Sequence, residues 1–342
     1  MSFEKISSEN QCYVIAEAGL NHNGSVEMAK RLIDIAVVAG ADAVKFQKRT
    51  VEKLAVKKTL DAADDRFPSF GSTYREIRQH LEFDFSQYEE LKAYAVERNI
   101  DFIVTAFDID AVDFLDQLGV DVIKLASHSA TNIELLNYLS EKKKPTIMST
   151  GMADLDEIQS AVDIFKKNDA PLILLHCVSS YPTPLDQCNL EAMKTLRDKF
   201  ELPVGYSGHE LGYLPTITAV AMGAVAIERH YTLSKDLPGF DHKMSLEPEE
   251  FISMVKQIRL IDKIKGNGIK FVSETEMITR NKYHVSIATS RSIKAGEEIT
   301  KDMIRYRNPG TGIPAKHVSL ILGKKAVADI DEDILMTLEM VD

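Results

Sequence analysis

The sequence predicts an α/β fold, a closed barrel of eight parallel strand–helix units followed by a small β-rich domain. Three observations carry that expectation. Short apolar runs rich in Val and Ile alternate eight times with longer helical stretches over about 265 residues, the count and length of a (β/α)8 barrel. The runs are short and apolar, as strands covered on both faces are. Composition changes at Gly266, where the rhythm gives way to short strands and tight turns. An open doubly wound sheet is the alternative, but "GLNHNG" after the first strand lacks the Gly-x-Gly-x-x-Gly spacing of a dinucleotide turn.

The elements follow in order. "CYVIAEAG" (12–19) reads as the first strand. Ser25 can cap a helix running to Ala39, with Met28, Leu32, Ile35 and Ala36 as its apolar stripe and Gly40 as its stop. "DAVKFQ" (42–47) is the second strand. An excursion over residues 49–85 is expected to hold a short helix and a mobile cover. A helix over 86–99 leads to the third strand, "DFIVTAF" (101–107), and its helix over 110–119. "DVIKLAS" (121–127) and "PTIMST" (145–150) are strands four and five, followed by helices over 132–141 and through "ADLDEIQSAVDIFKK" (153–167). "PLILLHC" (171–177), "PVGYS" (203–207) and "AVAIERH" (224–230) complete the barrel, with helices in "LEAMKTLRDKF", "GYLPTITAVAMG" and "EPEEFISMVKQIRLIDKI". The barrel domain is placed at 1–265, a linker at 266–282 and the small domain at 283–342, which should have little core of its own.

Composition limits the function classes. The formal net charge of −11 argues against nonspecific nucleic-acid binding. Three cysteines, Cys12, Cys177 and Cys188, form neither a disulfide framework nor a zinc knuckle, and fit a reducing compartment. The polar start "MSFEKISSENQ" has no apolar signal core, and no apolar run reaches membrane length. A cytoplasmic protein is expected, with neither nucleic acid nor membrane as partner.

In such barrels the chemistry sits at the C-terminal ends of the strands. Read there, the strands carry Glu17, then Lys45 and Gln47, Thr105, Lys124 and Ser127, Ser149, His176, Ser207 and His209, and Glu228 and His230. So many polar groups at one mouth mark an active site. Lys45 and Lys124 read as anion ligands, because two converging lysines repel unless something negative lies between them. Ser127, Ser149 and Ser207 can donate to phosphate oxygens, and "STG" (149–151) lets backbone amides approach an anion. The alternative is that the lysines pair with nearby carboxylates. His209 and His230, ending adjacent strands, suit a borderline divalent metal, with substrate and water in its other positions. Two hydrogen-bonded loop histidines are the alternative. "DLPGFDHK" adds Asp241 beside them. Phosphate ligands next to a carbonyl-activating metal suggest that a phosphate-bearing enol attacks an aldehyde.

The same residues carry a family resemblance. "IAEAGLNHNG" (15–24), "AVKFQ" (43–47), "FGSTYRE" (70–76), "IKLAS" (123–127), "MSTGM" (148–152), "LLHCVSSYPTP" (174–184), "GYSGHELG" (205–212), "IERHYTL" (227–233), "LPGFDHKMSLEP" (237–248) and "NPGTGIP" (308–314) together resemble the sialic acid (nonulosonate) synthases. These enzymes condense phosphoenolpyruvate with an N-acetylated hexosamine. The resemblance implies a TIM barrel followed by an antifreeze-like (SAF) domain, and a head-to-tail, domain-swapped homodimer. By the same resemblance Lys45, Lys124, Ser127, Ser149 and Ser207 match phosphoenolpyruvate contacts, with Thr105 beside them. His209 and His230 match two metal ligands, usually for manganese. Gln47, Tyr181 and Asp241 match positions around the aldehyde sugar or the water beside the metal. Glu17 matches the strand-one glutamate, expected to stay ionised among lysines and to orient the reacting centre.

Three departures concern the acceptor. Where the family often has "GSGE" after the strand-four lysine, "ASHS" stands here, with Ser129 in place of the glutamate and His128 beside it. Ser179 replaces an asparagine of the family on strand six. Asn308, preceded by Arg307, stands where an arginine commonly binds the sugar's acyl group. N-acetylmannosamine or a 2,4-diacetamido-trideoxyhexose is the expected acceptor. The alternatives are a synthase of another 3-deoxy-ulosonate, against which the SAF-like tail argues, and a non-catalytic carbohydrate- or ice-binding protein.

Overall fold

The computed structural model describes residues 3–8 and 11–342. It divides into two compact units, 1–266 and 267–342. In the first, β1 (Tyr13–Gly19), β2 (Ala43–Lys48), β3 (Asp101–Ala106), β4 (Ile123–Leu125), β5 (Thr146–Ser149), β6 (Leu172–Cys177), β7 (Val204–Gly208) and β8 (Ala226–His230) form a closed barrel in chain order. All eight neighbouring pairs are parallel, and β8 pairs back onto β1. This is the TIM barrel that the sequence predicts.

Helices α1 (Val26–Ala39), α2 (Tyr74–His80), α3 (Phe85–Glu97), α4 (Ile109–Leu118), α5 (Ile133–Glu141), α6 (Leu155–Lys167), α7 (Ala192–Phe200), α8 (Leu214–Ala221) and α9 (Pro248–Lys265) surround the strands. Their ends are written locally. Ser25 accepts from the Met28 amide, and Gly40 closes α1 in the left-handed conformation at φ 78°. Asp154 and Glu157 form a reciprocal capping box at the start of α6. The excursion between β2 and α3 contains α2, capped by Thr73.

Residue parity builds the barrel interior. Tyr13, Ile15, Ala43, Ile103, Val122, Ile147, Ile173 and Leu175 pack into one apolar layer, and Ile6 from the helical turn Phe3–Ile6 joins it. Two residues further along each strand, the same inward stripe delivers Glu17, Lys45, Thr105, Lys124, Ser149 and Cys177. The intervening residues, such as Val14, Val44, Phe46, Val104 and Leu174, pack instead in the larger core with the helices. The barrel is therefore plugged below and polar above.

The "LNHNG" loop after β1 is a structural latch. Asn21 donates to the Tyr231 carbonyl and to Ser245 Oγ, each at 2.8 Å. Asn23 donates to the Pro238 carbonyl at 2.9 Å, fixing the loop after β8. His22 is buried, stacks on Phe83 at 4.2 Å and accepts the Gly24 amide at Nδ1. Burial, assisted by the nearby Arg49 cation, lowers its pKa from 6.5 to about 3. The unfolded chain therefore takes up a proton before the folded one does. Stability is fully present above pH 6.5 and should fall as the pH drops towards 3. The slope from this group is at most about 1.4 kcal/mol per pH unit. Chemical denaturation of wild type and His22→Gln between pH 7 and 4.5 checks this: the variant should start less stable but show a flatter pH profile.

The second unit pairs β9 (Ser286–Thr289) antiparallel with β10 (Ile304–Arg307). Ile287, Ile293, Ile299, Ile321 and Met336 are buried together, so this unit has more core than the sequence suggests. The stretch read as a linker, 266–282, contains most of α10 (Glu274–Tyr283). Its capping box, Ser273 with Glu276, was readable in "SETE".

Candidate active site

A cavity of about 570 Å³ occupies the C-terminal mouth of the barrel. Glu17, Lys45, Gln47, Thr105, Lys124, Ser127, Ser149, Tyr181, Ser207, His209, His230 and Asp241 all border it. The register explains the convergence. Glu17 lies opposite both Lys45 and His230, Thr105 lies opposite Gln47 and Lys124, and Ser207 lies opposite Cys177 and Glu228. Arg307 and Asn308 belong to the second unit, where Arg307 ends β10, half-exposed and 3.6 Å from Asp333.

The lysines already have carboxylates between them. Lys45 Nζ is 2.9 Å from Glu17 and 3.5 Å from Glu228, and Lys124 Nζ is 3.8 Å from Glu228. No bound anion is needed to hold the two cations together, contrary to the simplest sequence argument. Lys45 also donates to Thr105 Oγ1 at 2.8 Å, and Lys124 donates to Ser149 Oγ and the Leu125 carbonyl, each at 2.7 Å. Ser207 Oγ donates to Glu228 at 3.2 Å. Ser127 Oγ accepts the Gly151 amide at 3.1 Å.

Burial and pairing divide the charges. Glu228 is desolvated, yet Lys124 and Lys45 outweigh that and hold its pKa at about 2. For Glu17, burial outweighs the Lys45 cation, and the repulsion of Glu228 adds to it, so its pKa is raised. Complete burial and the lysine thus act on Glu17 in opposite directions. Burial also lowers Lys124 to about 8, whereas Glu17 and Glu228 overcome burial at Lys45 and raise it. Gln47 donates to Glu17 Oε1 at 2.7 Å and accepts from Arg49, which in turn pairs with Glu82 at 3.3 Å.

The two histidines stand with ring centres 5.6 Å apart. His209 Nδ1 donates to the Val178 carbonyl at 3.1 Å, which leaves Nε2 available as a ligand. His230 Nδ1 is buried without a hydrogen-bond partner, and burial lowers its pKa to about 4, keeping the ring neutral. At His209 burial is outweighed by Cys177 and the Val178 carbonyl, and its pKa is raised; an imidazole with an unspent nitrogen suits a divalent metal. Among the described residues no cluster of three or more His, Cys, Asp or Glu is placed to hold one. The Tyr181 ring lies 4.3 Å from that of His209. Behind the histidines, Arg229 pairs with Glu210 in the core and donates to the Glu210 and Gly212 carbonyls at 2.8 Å. That network fixes the loop after His209. A Cβ at Gly208 would meet Glu210 Oε2 at 2.5 Å, so only glycine fits between them.

Several residues fall differently from the sequence reading. His176 has outward parity, donates from Nε2 to the Cys188 carbonyl at 2.9 Å, and borders a separate cavity between α6 and α7. Cys177 takes the inward place instead. Ser129 is buried and reaches the cavity only through His128, whose Nε2 is 3.3 Å from its Oγ and whose ring packs 5.0 Å from Phe107. Glu228 stands at a strand end in the sequence, but its place between the two lysines follows only from the strand register. Arg49 and Arg78 reach the cavity from an excursion with no periodic signal in the sequence.

Fold and site together define a TIM-barrel enzyme with a charged chamber at the strand ends. The chain belongs to the NeuB family, whose model matches residues 32–270, and carries a SAF domain at 284–342. It is 40% identical over 327 residues to N,N'-diacetyllegionaminic acid synthase of Campylobacter jejuni, covering 94% of this chain and 98% of that one. It is 35% identical over 339 residues to human N-acetylneuraminate-9-phosphate synthase, covering 98% and 94%. Among solved structures, the N-acetylneuraminic acid (sialic acid) synthetase of Leptospira borgpetersenii superposes with a TM-score of 0.69 at 38% identity, over 80% of this chain and 91% of that one.

Proposed function

We propose that this protein condenses phosphoenolpyruvate with an N-acetylated hexosamine to give a nonulosonic acid and phosphate. The observation that carries the reading is the buried Lys45, Lys124, Ser149 and Ser207 with the half-buried Ser127, beside His209 and His230 in one cavity. Lys45 and Lys124 with the three serines bind the phosphate of phosphoenolpyruvate, which enters first. Its C3 bonds to the aldehyde carbon of the open-chain sugar, and the aldehyde oxygen takes a proton. Water adds to the cation-like C2, the C2–O bond to phosphate breaks, and the adduct collapses to the 2-keto-3-deoxy acid. Water thus supplies the ketone oxygen, and its second proton leaves with phosphate. Glu17, held by Lys45 and Gln47, orients the reacting centre. His209 and His230 would hold a divalent metal, manganese in our reading, which supplies Lewis-acid polarisation of the aldehyde when bound. Asp241, Gln47, Thr105 and Tyr181 position the two substrates. Mass spectrometry of products from phosphoenolpyruvate with a panel of 2-acetamido and 2,4-diacetamido hexoses tests the reading. Absence of both phosphate release and a condensed acid with every sugar would reject it.

The enzyme acts in the cytoplasm in this proposal; no helix among the described residues is long and apolar enough to cross a membrane. We propose further that it works as a domain-swapped homodimer in which Arg307 and Asn308 of one chain contact the sugar in its partner's barrel. Mixing a Lys45→Met protein with an Arg307→Ala protein should then restore activity that neither has alone. A mixture no more active than its components, under conditions that exchange subunits, counts against the swap.

A further inference from the structure

Arg49 directly follows β2 and is almost fully buried beside the cavity. Its guanidinium carbon lies 4.3 Å from the centre of the Phe107 ring. The guanidinium donates to Glu82 Oε1 at 3.3 Å and to Gln47 Oε1. Gln47 Nε2 in turn donates to Glu17 Oε1 at 2.7 Å, while Lys45 pairs with the other carboxylate oxygen at 2.9 Å. A continuous polar chain thus runs from Glu82 through Arg49 and Gln47 to Glu17.

The direction of this chain is dictated from its arginine end. A carboxamide is nearly symmetric in shape and can turn either its oxygen or its NH2 towards a neighbour. A guanidinium only donates, so only the oxygen of Gln47 can face Arg49. Nε2 must then face Glu17. It makes no other hydrogen bond among the described residues, so its second N–H is left for the cavity that Gln47 borders. Gly19 marks where this matters. A Cβ there would lie 3.2 Å from Gln47 Nε2, 3.3 Å from Glu17 Oε1 and 3.2 Å from His230 Cε1, so amide, carboxylate and imidazole converge on one spot. Without Arg49 the amide oxygen loses its donor, and the carboxamide is free to turn that oxygen into the cavity. Resting on the proposed condensation, we infer that Arg49 is a positioning residue, which locks the Gln47 carboxamide with its NH2 towards the reacting centre and thereby holds Glu17 in place.

The test is a double-variant cycle on the full chain. Arg49→Met keeps the stack on Phe107 and removes the donors, and Lys48, 3.2 Å from Glu82, still neutralises that carboxylate. Should the variant not fold, Arg49→Met/Glu82→Gln removes both charges and takes its place. Arg49→Met should lower kcat by about tenfold to a hundredfold and leave phosphoenolpyruvate affinity, measured by calorimetry, within about twofold of wild type. In a Gln47→Met background the same change should cost less than about twofold more, because the group that Arg49 acts through is gone. An arginine that touches substrate, or one that only supports the fold, would lower both backgrounds alike. Equal losses in the two backgrounds, a fall in phosphoenolpyruvate affinity that matches the fall in kcat, or an unchanged kcat would each overturn the assignment. Nuclear magnetic resonance reads the orientation without turnover. The side-chain NH2 signal of Gln47, assigned by its absence in Gln47→Met, should be protected from hydrogen exchange in wild type and lose about tenfold or more of that protection in Arg49→Met. If no sugar condenses with wild type, the functional reading fails and this signal alone decides the role of Arg49; unchanged protection overturns it.

Discussion

Lys124→Met is expected to lower kcat/KM for phosphoenolpyruvate by about a thousandfold or more, measured as phosphate release. The side chain is almost fully buried, and its ammonium reaches Ser149 Oγ, the Leu125 carbonyl and Glu228. Methionine fills a similar volume but cannot donate to a phosphate oxygen. The fold should survive, because Glu228 keeps Lys45 at 3.5 Å as its counter-ion. The double variant Lys124→Met/Glu228→Gln separates two roles. If Lys124 only neutralises Glu228, removing both charges should restore activity. If Lys124 binds phosphate, the double variant stays inactive and calorimetry shows weakened phosphoenolpyruvate affinity. Retention of a tenth of wild-type activity by the single variant would reject the phosphate role.

His230→Ala should cost a comparable factor, together with most of the protein's affinity for manganese. The ring is neutral at working pH and its Nδ1 has no partner among the described residues. His209 across from it has one nitrogen committed to Val178, which fixes the other for a ligand. Electron paramagnetic resonance of added manganese measures affinity without reference to turnover, and should show tight binding in wild type and weak binding in the variant. Chelation should abolish condensation in wild type, and manganese should restore it. Thoroughly chelated wild type that turns over at full rate would exclude the metal role.

The barrel was legible because each strand is a short apolar run and each helix carries its own caps, so local signals agree with the closed sheet. The site was legible for the same reason: every second residue past the apolar layer points into the mouth. Parity applied strictly would have excluded His176 and selected Cys177. The pairing of Lys45 and Lys124 with Glu17 and Glu228 depends on register across four strands, which one sequence does not reveal. Arg78 reaches the cavity from an excursion with no strand periodicity, so its place there emerges only from packing against Tyr74 and Phe240. Ser129 shows the opposite case: the substitution was visible, but its burial beneath His128 was not.

The apolar plug beneath the charged layer has a kinetic consequence. Ile15, Ile103, Ile147, Ile173 and Leu175 close the lower end of the barrel, so the chamber opens at the C-terminal ends of the strands. Groups held by Lys124 and Ser149 lie deeper than those beside Tyr181, which is 57% exposed. In the proposed reaction, reactants must therefore load last-in, first-out. A sugar bound early blocks the path of phosphoenolpyruvate, giving substrate inhibition by the sugar that excess phosphoenolpyruvate relieves. The sugar acid, nearer the doorway, leaves before phosphate, so inorganic phosphate should inhibit competitively against phosphoenolpyruvate and only noncompetitively against the sugar.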